Sequence, residues 1–213
     1  MRVPINTIFL LLFSILFSNC DKKDTNEDID NRIYSQIFQT IVDSCVVIKE
    51  PVPNPNLGHV VLKEYENRIK NAFERKMLIA IYDTIRAYDK TKFENEVAKS
   101  SLNLKWATSD ITNLVIKCDD YQVKSNVKLV RAMSLPSLDK SYAENKSWEN
   151  YDELENLDAA ISLNRVLLDE NKTKGFLQIG VICGKLCGQG FDIWIKKENN
   201  IWRIIDIKRT WIS

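Results

Sequence analysis

The chain has 213 residues, with 30 Lys or Arg, 29 Asp or Glu and one His, so its formal net charge is +1. This balance argues against a nucleic-acid-binding protein, because such proteins present a strongly basic surface. The length suits one ordinary domain with its own core.

The first twenty residues differ from the rest of the chain. Arg2 places a positive charge near the start, and residues 5–17 form an almost unbroken apolar run. A positive start followed by about 7–15 apolar residues is typical of a secretory signal peptide. The run is shorter than the roughly 20 apolar residues of a transmembrane helix.

The end of this run resembles a lipobox, the site where lipoprotein signal peptidase cuts before a cysteine that carries lipid. It comprises Leu-Phe-Ser-Asn-Cys at 16–20, with Phe17 and Asn19 where the common form has Leu and a small residue. The resemblance implies a signal peptide at 1–19 and lipid on Cys20. The charged stretch that follows predicts a polar tether at 20–27, and the remaining length predicts a single globular domain at 28–213. The looser box and charged tether are similar to lipoproteins of the Bacteroidota. A plain signal peptide and an uncleaved anchor are the alternatives.

Two helices are predicted at the start of the domain. Apolar residues recur every four positions over 28–48, at Ile29, Ile33, Ile37, Ile41 and Cys45. Prolines at 51, 53 and 55 then prevent helix continuation. A second helix is predicted over 61–75 and a short one over 91–99.

Strands dominate the remainder. Residues 77–85 are nearly all apolar, which predicts a central strand. Short strands are predicted at 112–117 and 126–131, and a polar segment at 134–156 is either loop or partly helical. Four more strands are predicted at 159–168, 175–183, 191–197 and 201–208. A tight turn at 198–200 is predicted to join the last two.

These elements predict an α+β fold, with N-terminal helices packed on a twisted antiparallel sheet of five to seven strands that ends in a β-meander. A helix followed by a curved sheet is similar to the NTF2-like and cystatin-like superfolds. The sequence Cys-Gly-Lys-Leu-Cys-Gly-Gln-Gly at 183–190 and the hairpin ending at Trp202 resemble the end of uncharacterised Bacteroidota lipoproteins. Asn200 stands where those sequences often have Gly, and the resemblance implies no known activity.

Four cysteines remain if Cys20 carries lipid, and export to an oxidising compartment would permit two disulfides. We expect Cys183–Cys187 and Cys45–Cys118. Buried thiols are the alternative, because unpaired cysteine behaves as a small hydrophobe.

Catalytic patterns are sparse. His59 is the single histidine, and the sequence contains no GxSxG, P-loop or HExxH pattern. Carboxylates cluster at Asp119–Asp120 and at 149–155, but without the glycine and spacing of a calcium loop. We therefore predict no metal and no cofactor.

A contact surface is predicted at the C-terminal hairpins, formed by Lys185, Leu186, Gln189, Trp194 and Trp202. The two tryptophans could face each other across the turn as core packing, or form a platform for a sugar or peptide. The favoured function is a non-catalytic binding module in the cell envelope, anchored by lipid at the outer membrane on its periplasmic or surface face. Its partner would be an envelope protein or glycan, not nucleic acid. The alternative is an envelope hydrolase using paired carboxylates.

Overall fold

The structure, a computed structural model, describes residues 26–47, 59–88, 113–116 and 118–212. The predicted signal peptide, Cys20 and the predicted helix at 91–99 lie outside these ranges. Among the described residues, every helix is too short or too polar to cross a membrane.

Two long helices open the domain. Helix α1 spans Asn26–Ile41 and continues as one π-helical stretch over Val42–Val46, while α2 spans His59–Glu74. Both predicted helices are confirmed within two residues at each end. The four-residue apolar repeat of α1 is buried, and Ile33, Ile37 and Ile41 are inaccessible to solvent.

Nine strands follow within the described residues, seven of them in one sheet. They are β1 Met77–Ile81, β2 Thr84–Ile85, β3 Leu114–Val115, β4 Val127–Arg131, β5 Ala159–Leu163, β6 Leu167–Leu168, β7 Lys174–Ile182, β8 Gly188–Glu198 and β9 Ile201–Ile212. The large sheet has the order β4-β1-β5-β7-β8-β9, with β6 paired to β7, while β2 and β3 form a separate pair. Helices on a sheet that ends in a meander confirm the α+β class.

The sheet is mixed, whereas the sequence predicted an antiparallel one. Strand β1 pairs in parallel with β4 on one side and with β5 on the other, and β5-β7-β8-β9 are antiparallel. Parallel neighbours require long crossover connections. Because β4 and β5 are both parallel to β1, which lies between them, the segment that joins β4 to β5 is also a crossover. It is the polar segment, which contains the short helix α3, Pro136–Ala143, and 3₁₀ turns. Apolar content alone did not reveal the direction of the strands.

Two of the predicted strands are interrupted. The apolar stretch 77–85 breaks after β1, where the carbonyl of Asp83 accepts a hydrogen bond from the amide of Ile116 at 2.7 Å. The stretch 159–168 breaks between β5 and β6, where the buried Arg165 turns inward. The turn after β8 is as predicted: Asn199 and Asn200 have φ of 50° and 64°, typical of a two-residue hairpin.

The sheet curls around α1. The amide of Trp202 in β9 donates to the side chain of Gln36 at 2.7 Å, and the amide of Lys124, before β4, donates to Gln39 at 2.7 Å. Strands β9 and β4 are the two ends of the sheet order. Two glutamines on one helix therefore hold both ends of the sheet, and the main core lies between them.

A second, smaller core covers the opposite face of β1 and β5. Ala80 and Ala160 leave room there for residues of the β4–β5 connection, and Leu138, Trp148 and Leu154 are buried against them. The polar segment at 134–156 is thus partly helical, one of the two outcomes expected for it. Its apolar residues anchor it to the sheet.

Candidate functional site

The loop between β7 and β8 is closed by a disulfide. Cys183 and Cys187 are bonded, with their Cα atoms 5.0 Å apart, which confirms the predicted bridge. The amide of Cys183 also donates to the carbonyl of Cys187 at 2.7 Å. Gly184 has φ of +133°, a conformation that residues with a Cβ rarely adopt. The bridge therefore constrains a short loop that presents Lys185 and Leu186 to solvent.

The end of β9 lies beside this loop. Gln189 pairs with Ile212, and Gly190 pairs with Trp211, directly after the disulfide loop. The exposed fractions are 83% for Leu186, 67% for Ile212 and 49% for Trp211. Five residues lie at this end of the sheet, and we name them the contact tip: Lys185, Leu186, Gln189, Trp211 and Ile212. Gln189 and Ile212 share one face of the sheet, and Trp211 lies on the other.

The indole ring of Trp211 packs directly against the backbone of Gly190. A Cβ atom at Gly190 would overlap the indole ring, so only glycine permits this position of the ring. The ring extends toward the next strand, where its Cζ2 atom would lie 4.0 Å from a Cβ placed on Gly180. An indole lying across two strands is held by the backbone beneath it, and its outer side stays accessible.

Positive charge lies in the contact tip at Lys185 and next to it at Arg209, two residues before Trp211. Lys185 and Arg209 are exposed, and residues 183–191 and 207–212 contain no Asp or Glu. Lys208 is also exposed, but it stands opposite the buried Asp192 in the β8–β9 ladder, so we leave it out of the tip. The surface therefore combines apolar side chains with cations.

The predicted pairing of Trp194 with Trp202 is wrong. The two-residue turn sets Trp202 opposite Lys197, while Trp194 stands opposite Asp206. Successive side chains in a strand alternate between faces, so the two tryptophans lie on opposite sides of the sheet. Trp202 is 4% exposed in the main core and is not a contact residue. Trp194 is partly buried against Phe176, with ring centroids 5.4 Å apart.

The predicted second disulfide is not formed. Cys45 and Cys118 are both buried thiols within the main core, where each contributes as a small apolar side chain. Burial, with the nearby charges of Asp119 and Asp83, raises the pKa of Cys118. A core position and a protonated thiol both disfavour oxidation.

The acidic clusters lie at the surface. Asp119 and Asp120 are exposed in a 3₁₀ turn, and Asp152, Glu153 and Glu155 are exposed in or beside another. In the described ranges, no group of His, Cys, Asp or Glu is arranged to hold a metal ion. His59 is the first residue of α2.

A buried ion pair was not predicted from the sequence. Arg165 Nε donates to Asp30 Oδ2 at 2.5 Å, and both side chains are 3% exposed. Next to it, the hydroxyl of Tyr34 donates to the carbonyl of Asn164. Asp30 shares a four-residue spacing with Tyr34 and Phe38 on α1, which was the available signal that it faces inward. The pair joins the start of α1 to the end of β5.

Fold and site together define a small α+β domain with a curved mixed sheet and a disulfide-closed contact tip. No family model, no curated protein and no solved structure matches the chain.

Proposed function

We propose that this protein is an exported lipoprotein of the cell envelope, anchored through Cys20, whose domain acts as a non-catalytic contact module. The observation that carries the contact role is the tip itself. Leu186, Trp211 and Ile212 are all exposed at one end of the sheet, with Trp211 and Ile212 on its opposite faces. The disulfide constrains the loop of Leu186, and the indole of Trp211 packs against the backbone of Gly190.

Three features support export and anchoring. A positively charged start and an apolar run precede Cys20, as in lipoprotein signal peptides. A disulfide at Cys183–Cys187 suits an oxidising compartment outside the cytoplasm. The lipobox-like segment and the C-terminal cysteine pattern together support a place among Bacteroidota-type lipoproteins.

Preorganisation supports the contact role. Binding orders loops and side chains at a cost in free energy, and a constrained surface reduces that cost. Exposed apolar groups grouped at one site commonly mark an interaction surface. The disulfide-closed loop that carries Leu186 and the indole of Trp211 packed on Gly190 are both constrained, and both expose apolar side chains at one end of the sheet.

The anchoring proposal is tested by metabolic acyl labelling and membrane fractionation of the native chain and its Cys20→Ser variant. We expect the variant to lose the acyl label and to leave the membrane fraction. Retention of the variant in membranes at full precursor mass would instead identify an uncleaved anchor.

The contact role is tested by placing the photo-crosslinking residue benzoylphenylalanine at position 186 in cells. The matched control places it at Met133, which is 67% exposed on a 3₁₀ turn outside the tip. We expect discrete crosslinked products from position 186 and not from position 133. Equal or absent products at both positions would refute the contact role of the tip.

A further inference from the structure

We infer that the partner of the contact tip is an anionic lipid surface, into which Leu186, Trp211 and Ile212 insert while Lys185 and Arg209 contact the headgroups. The inference rests on the proposed contact role of the tip. It does not depend on acylation of Cys20.

The apolar part of the tip has the chemistry of a membrane interface. Leu186 and Ile212 offer aliphatic side chains with no hydrogen-bonding group, and both are largely exposed to water. Trp211 adds an aromatic ring with a polar N–H, the residue type favoured at the boundary between headgroups and acyl chains. Burying these side chains among acyl chains removes apolar surface from water.

The positive charges at the tip favour a lipid surface that carries negative charge. Lys185 and Arg209 are exposed beside the apolar residues, in stretches without Asp or Glu. Basic residues near an anionic membrane each strengthen binding by about fivefold. A neutral sugar would gain nothing from these cations, and a sugar ring would not require the aliphatic Leu186 and Ile212.

The shape of the tip agrees with insertion. Leu186 lies in a five-residue loop whose ends are bonded at Cys183 and Cys187, and it is 83% exposed. Small-molecule sites are usually concave, whereas Leu186 projects into solvent. A projecting, constrained loop can enter a bilayer boundary without reorganising the sheet.

The proposed anchor keeps the domain close to a membrane. Five residues lie between Cys20 and Asn26, the first residue of α1, so six residue-to-residue steps join the two. Six such steps span at most about 20 Å when the chain is fully extended. A domain held this close to a bilayer gains from a second, weaker contact, since anchoring raises its effective concentration.

The test uses the mature chain, residues 20–213, with Cys20→Ser so that no acyl group contributes. Binding is measured by co-sedimentation with vesicles of phosphatidylglycerol and phosphatidylcholine in equal parts, and with phosphatidylcholine alone. We expect binding to the anionic vesicles that weakens as salt is added. Absence of binding, or equal binding to both vesicles, would overturn the inference.

Matched variants locate the contact. We expect Leu186→Ser to weaken binding about tenfold, because one large aliphatic side chain no longer inserts. Met133→Ser should leave binding unchanged. Likewise Arg209→Gln should weaken it about fivefold, while Arg203→Gln, near the other end of β9, should not. Equal effects within either pair would refute the assignment to the tip.

Crosslinking separates this inference from the proposed contact role. Lipid adducts at position 186 support the contact role of the tip and its assignment to lipid. Adducts with protein alone would uphold the contact role and overturn the lipid assignment. Absence of adducts at position 186 would overturn both.

Discussion

The side chain of Gln36 accepts a hydrogen bond from the backbone amide of Trp202 at 2.7 Å, so that α1 caps the outer edge of β9. Exposed sheet edges carry amides and carbonyls that invite unwanted pairing. Further along this edge, Asp206 accepts from the amide of Ile207 at 2.9 Å, and two register shifts interrupt the ladder. These local contacts thus make the long edge of β9 less able to pair with a strand of another chain.

We expect Gln36→Ala to lower the free energy of unfolding by about 1 kcal/mol, the usual net contribution of one hydrogen bond. Amide exchange at Trp202 should accelerate at the same time. Chemical denaturation and hydrogen exchange measure the two effects. Thr40→Ala, an exposed change on the same helix, should leave exchange at Trp202 unaltered. Unchanged exchange in Gln36→Ala would show that the helix does not cap this edge.

Two buried tyrosines should respond differently to loss of their hydroxyls. Tyr34 donates to Asn164, whereas in the described part of the chain the hydroxyl of Tyr121 has no hydrogen-bond partner. Burial raises the pKa of both groups, so both stay protonated. Tyr34→Phe should destabilise by about 1–2 kcal/mol, and Tyr121→Phe should be neutral or slightly stabilising. Denaturation curves decide; similar losses for both would contradict this assignment.

The central strand β1 should tolerate truncation poorly. Ile81 is 1% exposed, as the apolar run predicted, and packs in the main core. Ile81→Ala should cost about 2–5 kcal/mol, since it removes buried methyl groups and leaves a cavity. Ile205→Ala, at a largely exposed site on β9, should change stability by less than about 0.5 kcal/mol. A loss below about 1 kcal/mol for Ile81→Ala would exclude this packing.

The disulfide should act locally. Closing a five-residue loop restricts few conformations of the unfolded chain, so its loss should cost no more than about 2 kcal/mol. Removing it by Cys183→Ser with Cys187→Ser should raise amide exchange in the loop more than elsewhere. In peptide mapping without reductant, Cys45 and Cys118 should be labelled only after denaturation. Native labelling of both Cys183 and Cys187 would refute the bridge.

Asp169 should contribute a pH-dependent increment of stability. Burial opposes its ionisation, but hydrogen bonds from the amides of Lys174 and Thr173 and the hydroxyl of Thr173 prevail and lower the pKa of Asp169. A depressed pKa stabilises the fold above the unfolded-state value of about 3.9, and the gain disappears as pH falls through the folded-state pKa. When unfolding is measured from neutral to acid pH, the free energy of unfolding should therefore fall less in Asp169→Asn than in the native chain. Identical pH dependence of stability in the native chain and in Asp169→Asn would contradict this role of Asp169.

The sequence by itself determined the local elements and the disulfide-closed loop. The four-residue repeat of α1, the two-asparagine turn and the Cys183–Cys187 spacing each depend on neighbours along the chain, and the structure agrees with all three. Their physical causes are local: helical periodicity, tolerated positive φ and a short loop.

Only the tertiary structure decided which distant residues meet. Strand direction, the opposite faces of Trp194 and Trp202, and the Asp30–Arg165 pair depend on register and crossover. The contact tip likewise required β9 to pair with β8 directly after the disulfide loop, which places Trp211 and Ile212 at the same end of the sheet as Leu186. A one-residue change of register moves a side chain to the other face of a sheet, so composition alone could not place these residues.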